Sequence, residues 1–196
     1  MTTSAPAVSP DALAPLRRFV DRMAELVSRE REEARILEKA AILLGALLED
    51  ETWLPESHAV ADQKNYRQYP LYVDPEDRFS VVSFVWGPGQ STPIHDHSVW
   101  GLAGVLRGAE TSEQFAVAGD GLQSLGQTRL DRGAIDRFSP EIGDIHRVSN
   151  ALPDATSISV HVYGADIGKV SRSIYDAAGR RRNFVSGYSA APDLHL

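Results

Sequence analysis

The sequence predicts a mainly β fold, a β-barrel or double-sheet jelly roll, with α-helices at its N-terminus. Apolar residues first recur at helical spacing, and from about Tyr66 onward their period becomes strand-like. Short strand-like segments then follow one another between glycine- and proline-containing turns, which is typical of a barrel or sandwich. There is no internal repeat and no convincing linker, so we expect one domain over residues 11–196.

The composition narrows the class of protein. The chain has 196 residues, of which 42% are hydrophobic and 24% charged, as in an ordinary globular domain with a sizeable core. A formal net charge of −7 argues against nucleic acid as a partner. The one basic cluster, at 180–182, is expected to be a solvated turn after Gly179.

The cysteine count and the N-terminal segment indicate the cellular compartment. The chain has no cysteine, which excludes disulfides, thiolate metal ligands and a cysteine nucleophile and agrees with a reducing cytoplasm. The N-terminal residues lack the basic and apolar regions of a signal peptide, and no apolar run approaches membrane-spanning length. We therefore expect a cytoplasmic protein without a membrane partner. The sequence does not indicate an oligomeric state.

The helical part follows a short tail. Residues 1–10 are small and proline-rich, and we expect them to be disordered. Two amphipathic stripes, at 13–27 and 36–48, predict two helices that pack against the sheet. Pro15 fits the first helix only within its first turn, where its missing N–H would be unpaired anyway.

Six short strands are predicted after the helices. Turn residues separate them, among them Gly87-Pro88-Gly89 and the pair at 107–108. The predicted strands lie at 79–86, 101–106, 113–118, 134–138, 144–149 and 157–163.

Three histidines form a candidate metal site. His95 and His97 lie in a strand-like stretch, where side chains two apart point to the same face, so both can bind one ion while Asp96 points away. His146 follows later, inside a Gly-Asp-Ile-His segment. Three neutral imidazoles can bind one metal ion and leave other coordination positions open.

The glycines around these histidines resemble the cupin metal signature. Gly89, five intervening residues, His95 and His97, and then Gly108 match its first half, but Gly101 stands where the signature has a glutamate. The second half is matched by a glycine, a histidine and an asparagine at 143, 146 and 150, with a proline at 140 that is one residue further away than usual.

Histidine ligands alone do not identify which metal binds. Imidazole suits zinc, copper, iron and nickel alike. Without a carboxylate ligand, a divalent ion keeps its full charge and favours an anionic substrate that binds directly, such as a thiolate. A three-histidine zinc site that activates water is the competing interpretation.

A second constellation lies on the last predicted strand. Ser159, His161 and Tyr163 alternate with valines, so they share one strand face and can form a hydrogen-bonded row. The plain alternative is a polar patch on a half-buried strand. Beside a metal motif, a row of polar groups inside a barrel favours a functional role.

At this point the sequence resembles the thiol dioxygenases, the cupin enzymes that include cysteine dioxygenase, and within them the bacterial 3-mercaptopropionate dioxygenases. The resemblance extends over about 53–189. It implies a cupin-type barrel with one Fe(II) per chain on His95, His97 and His146. It also implies that Ser159 and His161 orient Tyr163 in an outer-sphere relay. The matching stretches are 79–90, 95–97 with 99–101, 143–146 with 148–150, and 157–164.

The resemblance also bears on the substrate. The cysteine-specific branch holds the substrate carboxylate with an arginine shortly after a tyrosine, but here that position is Gln68. The mercaptopropionate branch uses a different arginine, which matches Arg172. Arg67 is expected to point away from the Gln68 side as a surface or supporting arginine. The implied binding residues are therefore Arg172 and Gln68.

The implied reaction adds both atoms of O₂ to the sulfur of a small thiol carboxylate, most specifically 3-mercaptopropionate, and yields a sulfinate. L-Cysteine and mercaptosuccinate are the alternative substrates. A zinc or nickel cupin isomerase or hydrolase is the enzymatic alternative, and a non-catalytic metal-binding cupin is the alternative from another class. His58 and His195 lie outside every motif and are expected to take no part.

Overall fold

The computed structural model describes residues 11–119, 121–191 and 193–196, so the predicted tail at 1–10 lies outside the described residues. The described chain forms two helices, a 3₁₀ turn at Glu56–His58 and eleven strands. The helices are α1 (Ala14–Arg29) and α2 (Glu33–Leu48). The strands are β1 (Arg67–Val73), β2 (Ser80–Trp86), β3 (Ile94–His95), β4 (Gly101–Arg107), β5 (Ala109–Ala118), β6 (Gly121–Asp131), β7 (Ile135–Phe138), β8 (His146–Asn150), β9 (Ser157–Tyr163), β10 (Arg172–Tyr175) and β11 (Arg181–Phe184).

The strands form two antiparallel sheets, as the sequence predicts. The first sheet has the order β1-β2-β9-β4-β7 and the second β11-β10-β3-β8-β5-β6. One apolar cluster includes Val82 and Phe84 from the first sheet and Val148 from the second. This cluster fills the space between the two sheets and forms the interior of a jelly-roll barrel.

The helices cover the outer face of the first sheet. Buried residues of α1 and α2 join Val81, Val160 and Val162 of the sheet in a second apolar cluster. Pro15 lies in the first turn of α1, as predicted. The first sheet is therefore enclosed by the helices on one side and the barrel interior on the other, and every residue of β2 and β9 is buried.

Gly104 permits the close approach of α2. A Cβ atom at this position of β4 would lie 2.6 Å from Leu48 Cδ1 and 3.0 Å from Leu44 Cδ2. Any larger side chain would force the helix away from the sheet. The apolar stripe of α2 and the small residue opposite it are thus matched across the interface.

Several strands differ from the sequence-based prediction. β6 was not predicted, because most of its residues are exposed and carry no alternating pattern. Its hairpin partner β5 begins at Ala109, four residues before the predicted strand at 113. β1 and the short β10 and β11 were also missed. Arg181 and Arg182 are exposed residues of β11, so the predicted turn at 180–182 is wrong for these two.

The strand around the first two histidines is shorter than expected. β3 contains only Ile94 and His95, so His97 lies beyond the end of the strand. β8 begins at His146, and Asp144 therefore belongs to the preceding loop. Loop contacts, rather than strand periodicity, position His97. Within the described residues, neither helix combines the length and the apolar character needed to span a membrane.

Candidate metal centre and active site

Three buried histidines meet inside the barrel. His95 and His146 are directly opposite each other in the pairing of β3 with β8, and His97 comes from the loop after β3. One ligand atom from each ring lies within 4.8 Å of the other two, and all three residues are buried. The predicted histidines are thus brought together, and within the described residues this group contains no carboxylate.

Asp144 holds His97 in place. Its Oδ1 lies 2.8 Å from His97 Nδ1, and its Oδ2 accepts hydrogen bonds from the backbone N–H groups of His97 (3.0 Å) and Ser98 (2.9 Å). Ser98 has φ = 60°, a left-handed conformation that a serine adopts only where its surroundings enforce it. Sequence reasoning missed Asp144. The sequence signal that could have indicated it is its position two residues before His146.

Contacts at Nδ1 leave the Nε2 atoms of His95 and His97 free to bind a metal. His95 Nδ1 lies 3.1 Å from the carbonyl oxygen of Pro93, and His97 Nδ1 is engaged by Asp144. His146 Nδ1 is buried without a hydrogen-bond partner, 4.0 Å from Asp136 Oδ2. An acceptor on Nδ1 fixes the tautomer whose Nε2 lone pair can bind a metal ion.

Burial keeps the three imidazoles neutral. It lowers the pKa of His95 to about 4, and it lowers the pKa of His97 and of His146 well below the usual value. For His97 and His146, the neighbouring histidines lower the pKa further. Neutral imidazole is the form that binds a metal, so the donor set fits a divalent ion that accepts nitrogen ligands.

Asp96 points away from the site. Its Oδ1 accepts a hydrogen bond from the backbone N–H of Ser173 at 2.8 Å, and its Oδ2 accepts one from the hydroxyl of Tyr175 at 2.8 Å. Both carboxylate oxygens are therefore engaged with β10. Asp96 thereby connects the loop after β3, which carries His97, to β10 of the second sheet, and it is not part of the histidine group.

Ser159, His161 and Tyr163 form a continuous hydrogen-bonded row along β9. Ser159 Oγ lies 2.9 Å from His161 Nε2, and His161 Nδ1 lies 2.9 Å from Tyr163 Oη. The Tyr163 ring stacks beside the His97 ring, with centroids 5.6 Å apart. The row therefore runs from the barrel interior to the metal-binding histidines.

Aromatic side chains enclose this row. Phe84 stacks on the His161 ring at a centroid distance of 4.0 Å, and Trp86 Nε1 donates a hydrogen bond to Ser159 Oγ at 3.2 Å. Burial lowers the pKa of His161 to about 3 and raises the pKa of Tyr163. Both groups are therefore neutral at physiological pH. A neutral phenol can donate a hydrogen bond into the site.

Arg172 lies on the same sheet face as the metal-binding histidines. Ile174 is opposite His95 in the β3–β10 pairing, and Arg172, two residues away, projects from the same face. The residue is only 4% exposed. Its Nη2 donates to Ser186 Oγ at 2.6 Å, and its guanidinium lies 4.8 Å from the centroid of the Phe184 ring.

The charge of Arg172 is not matched by a carboxylate. Within the described residues it forms no salt bridge, and its Nε is buried without a hydrogen-bond partner. Burial lowers its pKa, and the guanidinium in turn lowers the pKa values of His95 and His97. A buried cation with an unused donor beside the histidines is suited to an anionic ligand.

The two residues near the start of β1 have different surroundings. Gln68 is directly opposite Phe84 in the β1–β2 pairing, so its side chain faces the barrel interior, and its backbone N–H donates to Ser189 Oγ at 3.0 Å. Arg67 is 41% exposed and pairs with Asp62 at 2.5 Å. This surface ion pair agrees with the predicted surface or supporting role of Arg67.

The two remaining histidines lie away from the site. His195 is exposed and contributes only its carbonyl oxygen, which accepts a hydrogen bond from Arg17. His58 is fully buried in the 3₁₀ turn, 2.9 Å from Ser57 Oγ and in ring contact with Tyr69. His58 therefore packs on the helix side of the first sheet, away from the three central histidines.

Two facing antiparallel sheets with three buried histidines between them define a cupin-type metal-binding protein. The chain belongs to the cysteine dioxygenase type I family, whose model matches residues 2–176. This membership and the three-histidine site together support a metal-dependent thiol dioxygenase in general.

Solved structures with a similar architecture include three bacterial or archaeal proteins. A conserved protein with a double-stranded β-helix domain from Klebsiella pneumoniae is 19% identical, with 62% of this chain and 93% of that chain covered and a TM-score of 0.49. A Thermus thermophilus protein is 15% identical, with 56% of this chain and 92% of that chain covered and a TM-score of 0.45. An RmlC-like cupin family protein from Methanocaldococcus jannaschii is 12% identical, with 54% of this chain and 85% of that chain covered and a TM-score of 0.41.

Proposed function

We propose that this protein is an Fe(II)-dependent thiol dioxygenase that converts 3-mercaptopropionate to 3-sulfinopropionate. The observation that carries the proposal is the pairing of two features. One is a buried site with three neutral histidines and no carboxylate ligand. The other is Arg172, a buried cation without a carboxylate partner on the same sheet face. Together they suit a substrate with a thiolate at one end and a carboxylate at the other.

His95, His97 and His146 would hold the iron through their Nε2 atoms. The Nδ1 atoms of His95 and His97 are engaged with acceptor oxygens, which agrees with this orientation. Bound Fe(II) would supply a redox-active cation with open positions for a thiolate and O₂. Asp144 maintains the tautomer of His97 and raises the basicity of its ligand nitrogen.

Arg172 would orient the substrate. A carboxylate placed against its guanidinium gains charge-assisted hydrogen bonds and satisfies the unpaired Nε. Gln68 faces the same interior and can donate one hydrogen bond without adding charge. Because the cation is buried, the pair would be stronger than one exposed to solvent.

Tyr163 would hold a proton at the reacting end of the substrate. Its hydroxyl is at the end of the row nearest the histidines, and the pKa of the phenol is raised by burial. The group therefore donates a hydrogen bond rather than acting as an anion. The rings of Phe84 and Trp86, which pack on the row, exclude water from it.

The surroundings of Arg172 favour a substrate without an ammonium group. Asp96 and Asp144 are acidic residues that interact electrostatically with Arg172. Both oxygens of Asp96 are engaged with β10, and both oxygens of Asp144 are engaged with the histidine loop. The ammonium of L-cysteine would therefore be buried without an anionic partner, which is costly. 3-Mercaptopropionate has no such group.

The proposal is tested by comparing kcat/KM for 3-mercaptopropionate, L-cysteine and mercaptosuccinate on iron-loaded protein. O₂ consumption and sulfinate formation are followed together, with ¹⁸O₂ to trace both oxygen atoms. We expect 3-mercaptopropionate to be preferred and one sulfinate to form per O₂. Activity with zinc or nickel but not iron would support a cupin hydrolase or isomerase instead. Metal binding without turnover of any thiol would indicate a non-catalytic cupin.

A further inference from the structure

A serine near the C-terminus contacts the buried arginine that would orient the substrate. Arg172 Nη2 donates a hydrogen bond to Ser186 Oγ at 2.6 Å, while the Nε donor of the same guanidinium is buried without a partner. Phe184 is directly opposite Arg172 in the β10–β11 pairing, and its ring centroid lies 4.8 Å from the guanidinium carbon. The end of β11 and the residues after it therefore lie against Arg172.

The segment that carries Ser186 is fixed on both sides of this residue. Residues 184–189 form a C-terminal strap, which begins at the end of β11. Gly187 N–H donates to the carbonyl oxygen of Gly168 at 3.1 Å, and the Tyr188 hydroxyl accepts from the backbone N–H of Gly168 at 3.1 Å. Ser186 is thus held between a strand and two hydrogen bonds, although it is only half-buried.

The same strap holds the second residue of the proposed carboxylate site. Ser189 N–H donates to the carbonyl oxygen of Gln68 at 2.8 Å, and Gln68 N–H donates to Ser189 Oγ at 3.0 Å. The strap therefore contacts both Arg172 and Gln68, which are far apart in the sequence and would share one carboxylate.

The Ser186 hydroxyl keeps a proton that the protein does not use. A serine oxygen can accept hydrogen bonds and donates one proton. Ser186 Oγ accepts from Arg172, and within the described residues no group accepts its proton in return. Because the oxygen accepts from a cation, its O–H is polarised and becomes a stronger donor. An anion bound against Arg172 would be a suitable acceptor for this proton.

A substrate carboxylate has more acceptor sites than Arg172 and Gln68 can fill. Its two oxygens offer about four lone-pair sites. A guanidinium can fill about two of them with parallel N–H donors, and the Gln68 amide about one. An acceptor left unfilled in a buried site costs free energy. A further donor beside Arg172 would therefore strengthen the complex.

We propose that Ser186 is a substrate-binding residue, which holds Arg172 through Nη2 and donates its hydroxyl proton to the carboxylate that Arg172 binds. The inference rests on the proposed function and specifies the carboxylate end of that site. Three donors, from β10, β1 and the C-terminal strap, then meet at one carboxylate. The serine adds a directional donor but no second charge, so nothing further has to be neutralised when the site contains no substrate.

Binding of 3-mercaptopropionate to the Zn²⁺-loaded full chain, measured by calorimetry, tests this role without turnover. Ser186→Ala should raise the Kd by roughly 10–100-fold, the range for a hydrogen bond to a charged group. 1-Propanethiol has no carboxylate and should bind Ser186→Ala and the parent equally. Ser186→Thr keeps a hydroxyl and should restore most of the affinity. Ser171→Ala is the matched control, since Ser171 is exposed, precedes Arg172 and forms no side-chain hydrogen bond within the described residues.

A double variant separates direct contact from an effect exerted through Arg172. In Arg172→Ala the thiolate can still bind the metal, so the affinity remains measurable. If Ser186 touches the carboxylate, Ser186→Ala should weaken binding of 3-mercaptopropionate in this background as well. No further loss there would overturn the direct contact. Unchanged affinity in Ser186→Ala alone would overturn the inference too, as would an equal loss for 1-propanethiol, which would indicate a general disturbance of the strap.

Turnover gives a separate readout. In the iron-loaded protein, Ser186→Ala should raise KM for 3-mercaptopropionate more than it lowers kcat, because the hydroxyl binds the end of the substrate remote from sulfur. If thiol binding depends on Ser186 in this way but no thiol is oxidised, the role of Ser186 stands and the proposed function fails. If thiols are oxidised but Ser186→Ala matches the parent, the proposed function stands and the role of Ser186 fails.

Discussion

The carboxylate of Asp144 lies 2.8 Å from the Nδ1 atom of His97, across 47 residues of sequence. The same carboxylate accepts two backbone N–H groups of the histidine loop. One side chain therefore fixes both the path of the loop and the tautomer of its ring. Because β3 ends at His95, this contact supplies the orientation that a longer strand would otherwise have given His97.

Asp144→Asn should weaken metal binding. The amide keeps only one acceptor oxygen, so it cannot hold both the backbone N–H groups and the His97 ring, and His97 loses part of its orientation and basicity. We expect metal affinity to fall by about 10–100-fold, measured by competition with a chelator. Asp154→Asn, at an exposed loop position, is the control. Unchanged affinity in Asp144→Asn would mean that the histidine loop is held by other contacts.

Loss of any one of the three central histidines should abolish the metal site. His95→Ala, His97→Ala and His146→Ala should each bind less than one metal ion per chain and show no turnover, while the parent holds close to one iron. His195→Ala is the appropriate control, since His58 is buried and its replacement would leave a cavity. Metal analysis that finds zinc as the active species, with iron inert, would contradict the iron assignment.

The metal-free chain should lose stability as the pH falls. The pKa of His95 is about 4 in the folded chain against an ordinary value of 6.5, so the unfolded state takes up protons first. The stability contributed by the neutral ring is complete above about 6.5 and disappears as the pH falls toward 4. Urea denaturation with a chelator present should show a decrease of a few kcal/mol. A flat profile in this window would indicate that water reaches the ring.

Tyr163→Phe should separate catalysis from binding. The change removes only a hydroxyl, so the fold and metal content should remain near those of the parent. Turnover, or the yield of sulfinate per O₂, should fall, since a positioned proton donor contributes about 10²–10⁴-fold. Tyr72→Phe, on the helix side of β1, is the matched control. Parent-like kinetics in Tyr163→Phe would reduce the row to a structural role.

Arg172→Ala should impair the binding of carboxylates specifically. KM should rise sharply for every thiol that carries a carboxylate, because a charge-assisted pair is lost, and much less for cysteamine, which has none. Arg67→Ala is the control, since Arg67 pairs with Asp62 at the surface. If KM changes for Arg67→Ala and not for Arg172→Ala, the carboxylate is held from the other side of the site.

The preference among substrates follows from the same arginine. 3-Mercaptopropionate should exceed L-cysteine in kcat/KM by at least about tenfold, equivalent to roughly 1.4 kcal/mol of transition-state preference. The reason is the buried ammonium that L-cysteine would bring. A better kcat/KM for L-cysteine would place the protein in the cysteine-specific branch of its family.

The sequence by itself determined the features that depend on local spacing. Helical and strand periods are properties of neighbouring residues, so both helices and most interior strands were predictable. The alternation of Ser159, His161 and Tyr163 with valines likewise determined that they form one row. The glycine spacing around the three histidines indicated a shared metal site before any contact was known.

Only the tertiary structure decided which distant groups support these residues. Asp144 reaches His97 because two loops meet, and Arg172 lies beside His95 because β10 pairs with β3. Neither contact leaves a periodic trace in the sequence. The exposed β6 was missed for a related reason, since an edge strand open to solvent has no buried face to impose alternation. Local geometry is encoded residue by residue, whereas burial and charge pairing arise only when distant segments come into contact.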